Sequence, residues 1–193
     1  MRVATQVHQQ PMRSEARFAC RSFEALLLLA RPAPAPLLAA VRAAGFDPAR
    51  PEESYPHAVW LAVFDEVRRH LFPLLEPAAG QRAIGRRYVE AYSKTVVGRV
   101  LASAAPLMGP DRALARLPGY LRTGTERFDM RCEPVGPGVW RLRVENACAQ
   151  PEFCAGLVEG VLALVRAPAA QVTVARREAA GFDLLACWSV GQA

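Results

Sequence analysis

The chain is 193 residues long and 21.0 kDa, with 52% hydrophobic residues, 22% charged residues and a formal net charge of +6. This balance excludes a disordered chain and a minimal disulfide-held scaffold, and it fits one domain with a core of its own. The longest unbroken apolar run, residues 58–64, is too short to span a bilayer. Residues 1–21 carry Arg and Gln rather than an apolar signal core, so the expectation is a soluble cytoplasmic protein without a membrane span.

Lys94 is the sole lysine among the 24 basic residues, which leaves 23 arginines. Together with abundant Ala, Pro and Gly, this bias reads as codon composition. The arginines scatter over nearly every segment, whereas a nucleic-acid surface gathers them on one face with interleaved aromatics. No specific nucleic-acid partner is expected. The five cysteines are Cys20, Cys132, Cys148, Cys154 and Cys187. Their odd number and irregular spacing argue against a disulfide framework, and most read as small buried hydrophobes.

In chain order, residues 1–15 read as a disordered tail and residues 16–193 as a single α+β domain. Alternation of Ala16, Phe18 and Cys20 suits a short strand. Residues 23–30 form a helix broken by Pro32, Pro34 and Pro36. Residues 37–44 form another, with Gly45 in the C′ place. A Pro-rich loop follows, then Ser54-Tyr55-Pro56 as a helix start with Pro56 at N1. Trp60, Val63, Phe64, Val67 and Leu71 recur at helical spacing, and Arg68, Arg69 and His70 suit the last turn.

A longer helix is expected over residues 78–105, with Tyr88, Tyr92 and Val96 on its stripe and glycines inside it. Interior glycine costs ~1 kcal/mol against alanine, so some of these glycines would permit close backbone approach. Arg82, Arg86, Lys94 and Arg99 give it a basic face, with Arg86 and Glu90 spaced for an ion pair. Residues 106–110 make a turn, and 111–121 a short helix that Pro118 would kink.

After residue 123 the texture changes to strands at 128–135 and 139–146 around Gly136-Pro137-Gly138, then a helix over 152–165. Two more strands follow at 171–176 and 182–190. Trp140, Leu142 and Val144 alternate with Arg141, Arg143 and Glu145, a one-face burial pattern. A helical N-terminal part packed on a small antiparallel sheet, with a ββαββ C-terminal unit, makes an α+β architecture.

Gly45-Phe46-Asp47, Ser54-Tyr55-Pro56 with Trp60, Ile84-Gly85-Arg86, and the run from Thr95 to Arg99 recur in order. Met108-Gly109-Pro110, Arg122-Thr123-Gly124 and the run from Pro151 to Gly156 follow. Together they resemble a paralogous family of unknown function expanded in the myxobacteria, over roughly residues 18–190. More distantly, Phe153-Cys154, the Gly156-x-x-x-Gly160 helix and the closing Cys187-Trp188-Ser189-Val190 resemble the vinyl-reductase domain. Its superfamily includes haem-NO-binding sensor domains, phenol-sensing domains and vesicle-tethering subunits. The resemblance implies helices on a small antiparallel sheet, often around an apolar pocket.

The phenol-sensing relatives carry a zinc site, and residue by residue Cys154, Glu178 and Cys187 resemble its positions. Two cysteines and a carboxylate fall short of four ligands unless Cys148 completes the set, and core thiols are the plainer reading. Zinc therefore stays an open alternative to no cofactor. For haem, His8 lies in the tail and His57 and His70 at the two ends of one helix. The sensors' Tyr-x-Ser-x-Arg motif is missing.

Trp60, Tyr88, Tyr92, Trp140 and Phe153 are candidates to line an apolar ligand pocket, and they read equally as core. Gly156-x-x-x-Gly160 reads as a helix-to-sheet or subunit contact. No nucleophile, paired-acid or phosphate-loop constellation is present.

The expectation is a non-catalytic regulatory domain binding a small apolar ligand, a protein partner, or both. The alternatives are a dimeric interaction scaffold without ligand, and an enzyme on a planar tetrapyrrole-like substrate. With no output module in the sequence, a signal is expected to pass to a separate protein partner.

Overall fold

The computed structural model describes residues 17–94, 96–122, 129–145, 150–178 and 181–190, with backbone alone at 96–98, 100 and 101. The expected tail over residues 1–15, the strand start at residue 128, and Cys148 lie outside the described residues. The elements run β1 (Arg17–Ala19), α1 (Cys20–Leu28), α2 (Ala35–Ala43), β2 (Ser54–Pro56), α3 (His57–Leu71), α4 (Pro77–Ser93) and α5 (Val96–Leu121). Then come β3 (Asp129–Gly136), β4 (Val139–Glu145), α6 (Pro151–Leu164), β5 (Gln171–Glu178) and β6 (Gly181–Cys187). The architecture is α+β, as the sequence predicts.

The helical half forms where the sequence places its apolar stripes. α3 buries Trp60, Val63, Phe64 and Val67 and ends in Arg68, Arg69 and His70. Asp65 binds both Arg68 and Arg69, at 2.8 and 2.6 Å, one turn along the exposed side. α2 closes in a Schellman turn. Gly45 takes φ +99°, its N–H donates to the Arg42 carbonyl, and the Phe46 N–H donates to the Val41 carbonyl. Only a residue tolerant of positive φ serves there, and the turn delivers Phe46, fully buried, into the core.

Three local expectations change. Ser54-Tyr55-Pro56 is a short strand, β2, that pairs antiparallel with β1, so that Phe18 faces Tyr55. Pro56 accordingly sits at the N-cap rather than N1. The single helix expected over residues 78–105 is two: α4 ends at Ser93 with Lys94 as its cap, and α5 begins at Val96. The turn expected at residues 106–110 shrinks to one residue. Helix persists through Pro106, and Gly109 alone breaks it, at φ 70° and ψ 166°. Pro110 then opens the next helical segment, a place where its missing N–H costs nothing.

The second half is a four-stranded antiparallel sheet in the order β3-β4-β6-β5. The chain leaves the centre at β4, crosses through α6 to the edge strand β5, and returns through β6. Gly138 in the β3–β4 hairpin has φ +65°, and a Cβ there would lie 2.5 Å from the Trp188 carbonyl oxygen. Glycine is therefore required twice over. Trp140, Leu142 and Val144 point inward as the alternation predicts, onto Cys154, Val158 and Leu162 of α6. On the outer face Arg143 joins Glu178 at 2.6 Å and Asp183 at 3.0 Å.

The two halves meet where α4 crosses α6. A Cβ on Gly85 would strike the Phe153 carbonyl and one on Gly156 would strike the Arg82 carbonyl, while one on Gly160 would lie 2.9 Å from Val89 Cβ. The Gly156-x-x-x-Gly160 pair therefore serves a helix-to-helix crossing, not the helix-to-sheet or subunit contact expected. Backbones this close need glycine because no side chain fits between them. The arginines of α4 close the same seam. Arg86 pairs with Glu159 of α6 at 2.5 Å rather than with Glu90, and Arg82 reaches Glu152 at 3.3 Å and the Val172 carbonyl at 2.7 Å.

Candidate aromatic site in the helical half

The hydrophobic core of the helical half holds a cluster of aromatic rings. Trp60 of α3 is its hub. Phe18 stacks flat on it at 4.9 Å, Phe23 meets it edge-on at 5.4 Å, and Phe64 packs at 5.9 Å. Phe153 enters from α6, 6.3 Å from Trp60, and stands T-shaped against Phe64 at 5.1 Å and Tyr88 at 5.8 Å. Offset and edge-on pairs at these separations add ~0.5–1.5 kcal/mol each beyond simple burial. Phe153 packs against both hydrophobic cores, and its neighbour Cys154 is buried in the sheet core. One helix thus joins the two interiors.

The cluster has polar features: Tyr55, packed on Phe23 and Phe46, accepts the Glu52 N–H at 2.7 Å. Tyr88 of α4 hydrogen-bonds the hydroxyl of Ser22 in α1, the buried polar residue of this interior among the described residues. Burial pushes the Tyr88 phenol up to about 12, against a smaller opposing pull from the Ser22 hydrogen bond. At neutral pH the phenol is therefore a neutral donor or acceptor.

The structure brings three of the five predicted pocket residues together: Trp60, Tyr88 and Phe153. Tyr92, one turn beyond Tyr88 on α4, reaches the surface. Trp140 lies in the sheet core, where its Nε1–H donates to Asp111 Oδ1 at 2.7 Å. Sequence reasoning left out Phe18, Phe23 and Ser22. Their only signal was the amphipathic spacing of the first strand and helix.

The three residues weighed for zinc have separate surroundings. Cys154 is buried on α6, and burial pushes its thiol up to about 12. Cys187 closes β6, paired in register with Val139 and Gln171. Glu178 is held by Arg143 at 2.6 Å, and that hydrogen bond lowers its pKa. Among the described residues no three His, Cys, Asp or Glu side chains gather as a metal site. No helix among them is long and apolar enough to cross a membrane.

Helices on one side of a four-stranded antiparallel sheet, joined through a helical crossing, define the class: this is the fold of H-NOX domains. A structure that addresses the molecular mechanism of H-NOX activation matches with TM-score 0.68 at 13% identity, over 90% of this chain and 97% of that one. One concerned with haem redox potential and porphyrin distortion matches at 0.67 and 12% identity, over 89% and 99%. An unliganded Fe(II) H-NOX variant from K. algicida matches at 0.63 and 9% identity, over 86% and 94%. At such identities the likeness is one of fold.

The chain itself belongs to the DUF2378 family, proteins of unknown function, whose model matches residues 18–189. Among curated proteins none matches the sequence.

The haem that the second of those structures concerns is a poor fit to the side chains here. Haem iron is held by His, Cys thiolate, Met or Tyr. His57 is partly buried against Phe18, and His70 is exposed in the last turn of α3. Tyr88 is a protonated phenol bonded to Ser22, and Cys154 is a protonated thiol in the other core.

Proposed function

We propose that this chain is a non-catalytic regulatory domain that binds a small apolar ligand among Trp60, Tyr88 and Phe153. Its bound state would pass through α6 to a protein partner. The observation that carries the reading is the double engagement of α6. Phe153 stands in the aromatic cluster while Cys154, on the next position, packs in the sheet core. A ligand that displaces the Phe153 ring would press on α6, and α6 is packed against the sheet through Cys154, Val158 and Leu162. The fold shared with H-NOX domains supports the reading, which takes residues 16–193 as one domain. Tyr92 would stand at the mouth of the site, and the Ser22–Tyr88 hydroxyls would recognise one polar group on the ligand.

Native mass spectrometry of gently purified protein, repeated under denaturing conditions, tests this. A mass surplus lost on denaturation supports a bound molecule, and its size identifies the class. A panel of small apolar compounds scored by thermal shift gives the second readout. A ligand at 100 times its Kd stabilises by ~2.7 kcal/mol, or about 5–10 °C for a chain of this size. A clean mass and a blank panel overturn the ligand reading and leave the partner-binding scaffold, with a dimer mass pointing to a second copy as that partner.

A further inference from the structure

We infer that this chain carries the H-NOX fold without a haem iron, the interior of its helical half filled by its own aromatic side chains. The inference rests on the proposed function only for the place of the ligand, and it narrows that ligand to a metal-free class. Three observations carry it.

The first is the donor set. The chain has three histidines, and the two in the described residues, His57 and His70, belong to opposite ends of α3. α5, the helix that leads from α4 to the sheet, carries no His, Cys or Glu along its whole sequence, and its Tyr120 lies at the surface. Its Met108 sulfur accepts the Arg116 guanidinium at 3.9 Å, and Met130 is packed in the sheet core.

The second is protonation. Tyr88 and Cys154 lie against the two interiors, and burial holds both protonated at neutral pH; Tyr55, the phenol buried in the helical core, is engaged by the Glu52 N–H at 2.7 Å. Iron binding needs the deprotonated form of each, and that form is the one desolvation penalises. Tyr88 is in addition spoken for by Ser22.

The third is space. A porphyrin needs two broad faces cleared of side chains. Phe18, Phe23, Trp60, Phe64, Tyr88 and Phe153 instead contact one another at ring separations of 4.9–6.3 Å. The seam beside them is closed at backbone distance by Gly85 and Gly156. Parting α4 from α6 to admit a macrocycle would also break the Arg82 and Arg86 pairs with Glu152 and Glu159.

The test uses the full chain with haemin as the probe. Protein is expressed with and without a haem precursor in the medium, then titrated with haemin and passed over a gel-filtration column. The expected result is identical melting temperatures for the two preparations, cooperative unfolding in both, and no Soret band co-eluting with the protein. Haemin that associates without saturation and separates on the column agrees with that result. A saturable complex of one haemin per chain, retained on the column with the spectrum of protein-coordinated iron, overturns the inference whichever side chain holds the iron. A haemin complex would leave the sensor reading standing with a different ligand. A haem-free chain with a blank panel of apolar compounds would sink the sensor reading and leave this inference intact.

Discussion

Replacing Gly156 by alanine adds one methyl group to a helix, a change that ordinarily helps. In a helix interior alanine is favoured over glycine by ~1 kcal/mol. At Gly156 the new Cβ strikes the backbone carbonyl of Arg82, which cannot swing aside as a side-chain tip would. α4 must retreat, and with it the Ile84 contacts, the Arg82 and Arg86 ion pairs and the T-shaped Tyr88–Phe153 contact. Overpacking costs ~1–3 kcal/mol, and a clash with backbone belongs at the upper end. Subtracting the propensity gain leaves a net loss of ~2 kcal/mol, or about 4–8 °C in melting temperature. Gly119 of α5 is the internal control. A Cβ there meets nothing within 4 Å, so Gly119→Ala should gain ~0.4–1 kcal/mol. The assay is urea denaturation of both variants beside the parent, with the shift in midpoint read at constant m. If Gly156→Ala stabilises as Gly119→Ala does, the α4–α6 crossing described above is wrong, and the coupling of the two cores falls with it.

Phe153→Ala should cost ~3 kcal/mol, the low end for a core phenylalanine because the ring is not fully buried, and should remove any apolar-ligand thermal shift; a shift that survives would place the ligand elsewhere. Tyr88→Phe and Ser22→Ala should each destabilise, and their double-mutant cycle should show a coupling of ~0.5–1.5 kcal/mol; additivity would deny the hydrogen bond. Stability should fall as pH rises above about 9. Cys132, Cys154 and Tyr88 keep their protons up to about 12 in the folded chain, whereas the unfolded chain releases them earlier. Base therefore pulls toward the unfolded state, and a flat urea midpoint between pH 8 and 11 would contradict the burial of these groups.

The sheet was legible because a strand with one buried face writes its pattern at period 2. Trp140, Leu142 and Val144 against Arg141, Arg143 and Glu145 admit one register, and the hairpin glycines mark the turn. The helical half was legible only where a stripe was long, as on α3. β2 was missed because three residues cannot show a period, and Ser54-Tyr55-Pro56 carries the same letters as a helix start. What makes it a strand is Phe18 across from Tyr55, a partner 37 residues away. The break between α4 and α5 was missed for a related reason. The apolar stripe runs on through it, and no proline or glycine stands at the cap, Lys94, to mark the end of α4.

The aromatic site shows where reading residue types stops. Trp60, Tyr88 and Phe153 were chosen with Trp140 because they are large and apolar, a criterion blind to which interior a ring enters. The information that separates them is carried by glycines. Gly85 and Gly156 bring α4 and α6 to backbone contact, and that spacing sets Phe153 against Tyr88 while Cys154 turns toward the sheet. Gly156-x-x-x-Gly160 was visible in the sequence, and so was Gly85. The pairing of one with the other was not, because a close crossing is a property of two helices and each sequence segment describes only its own half. Ser22 reads as an ordinary helix residue until α4 places Tyr88 against it, after which its hydroxyl is a polar contact inside an apolar interior.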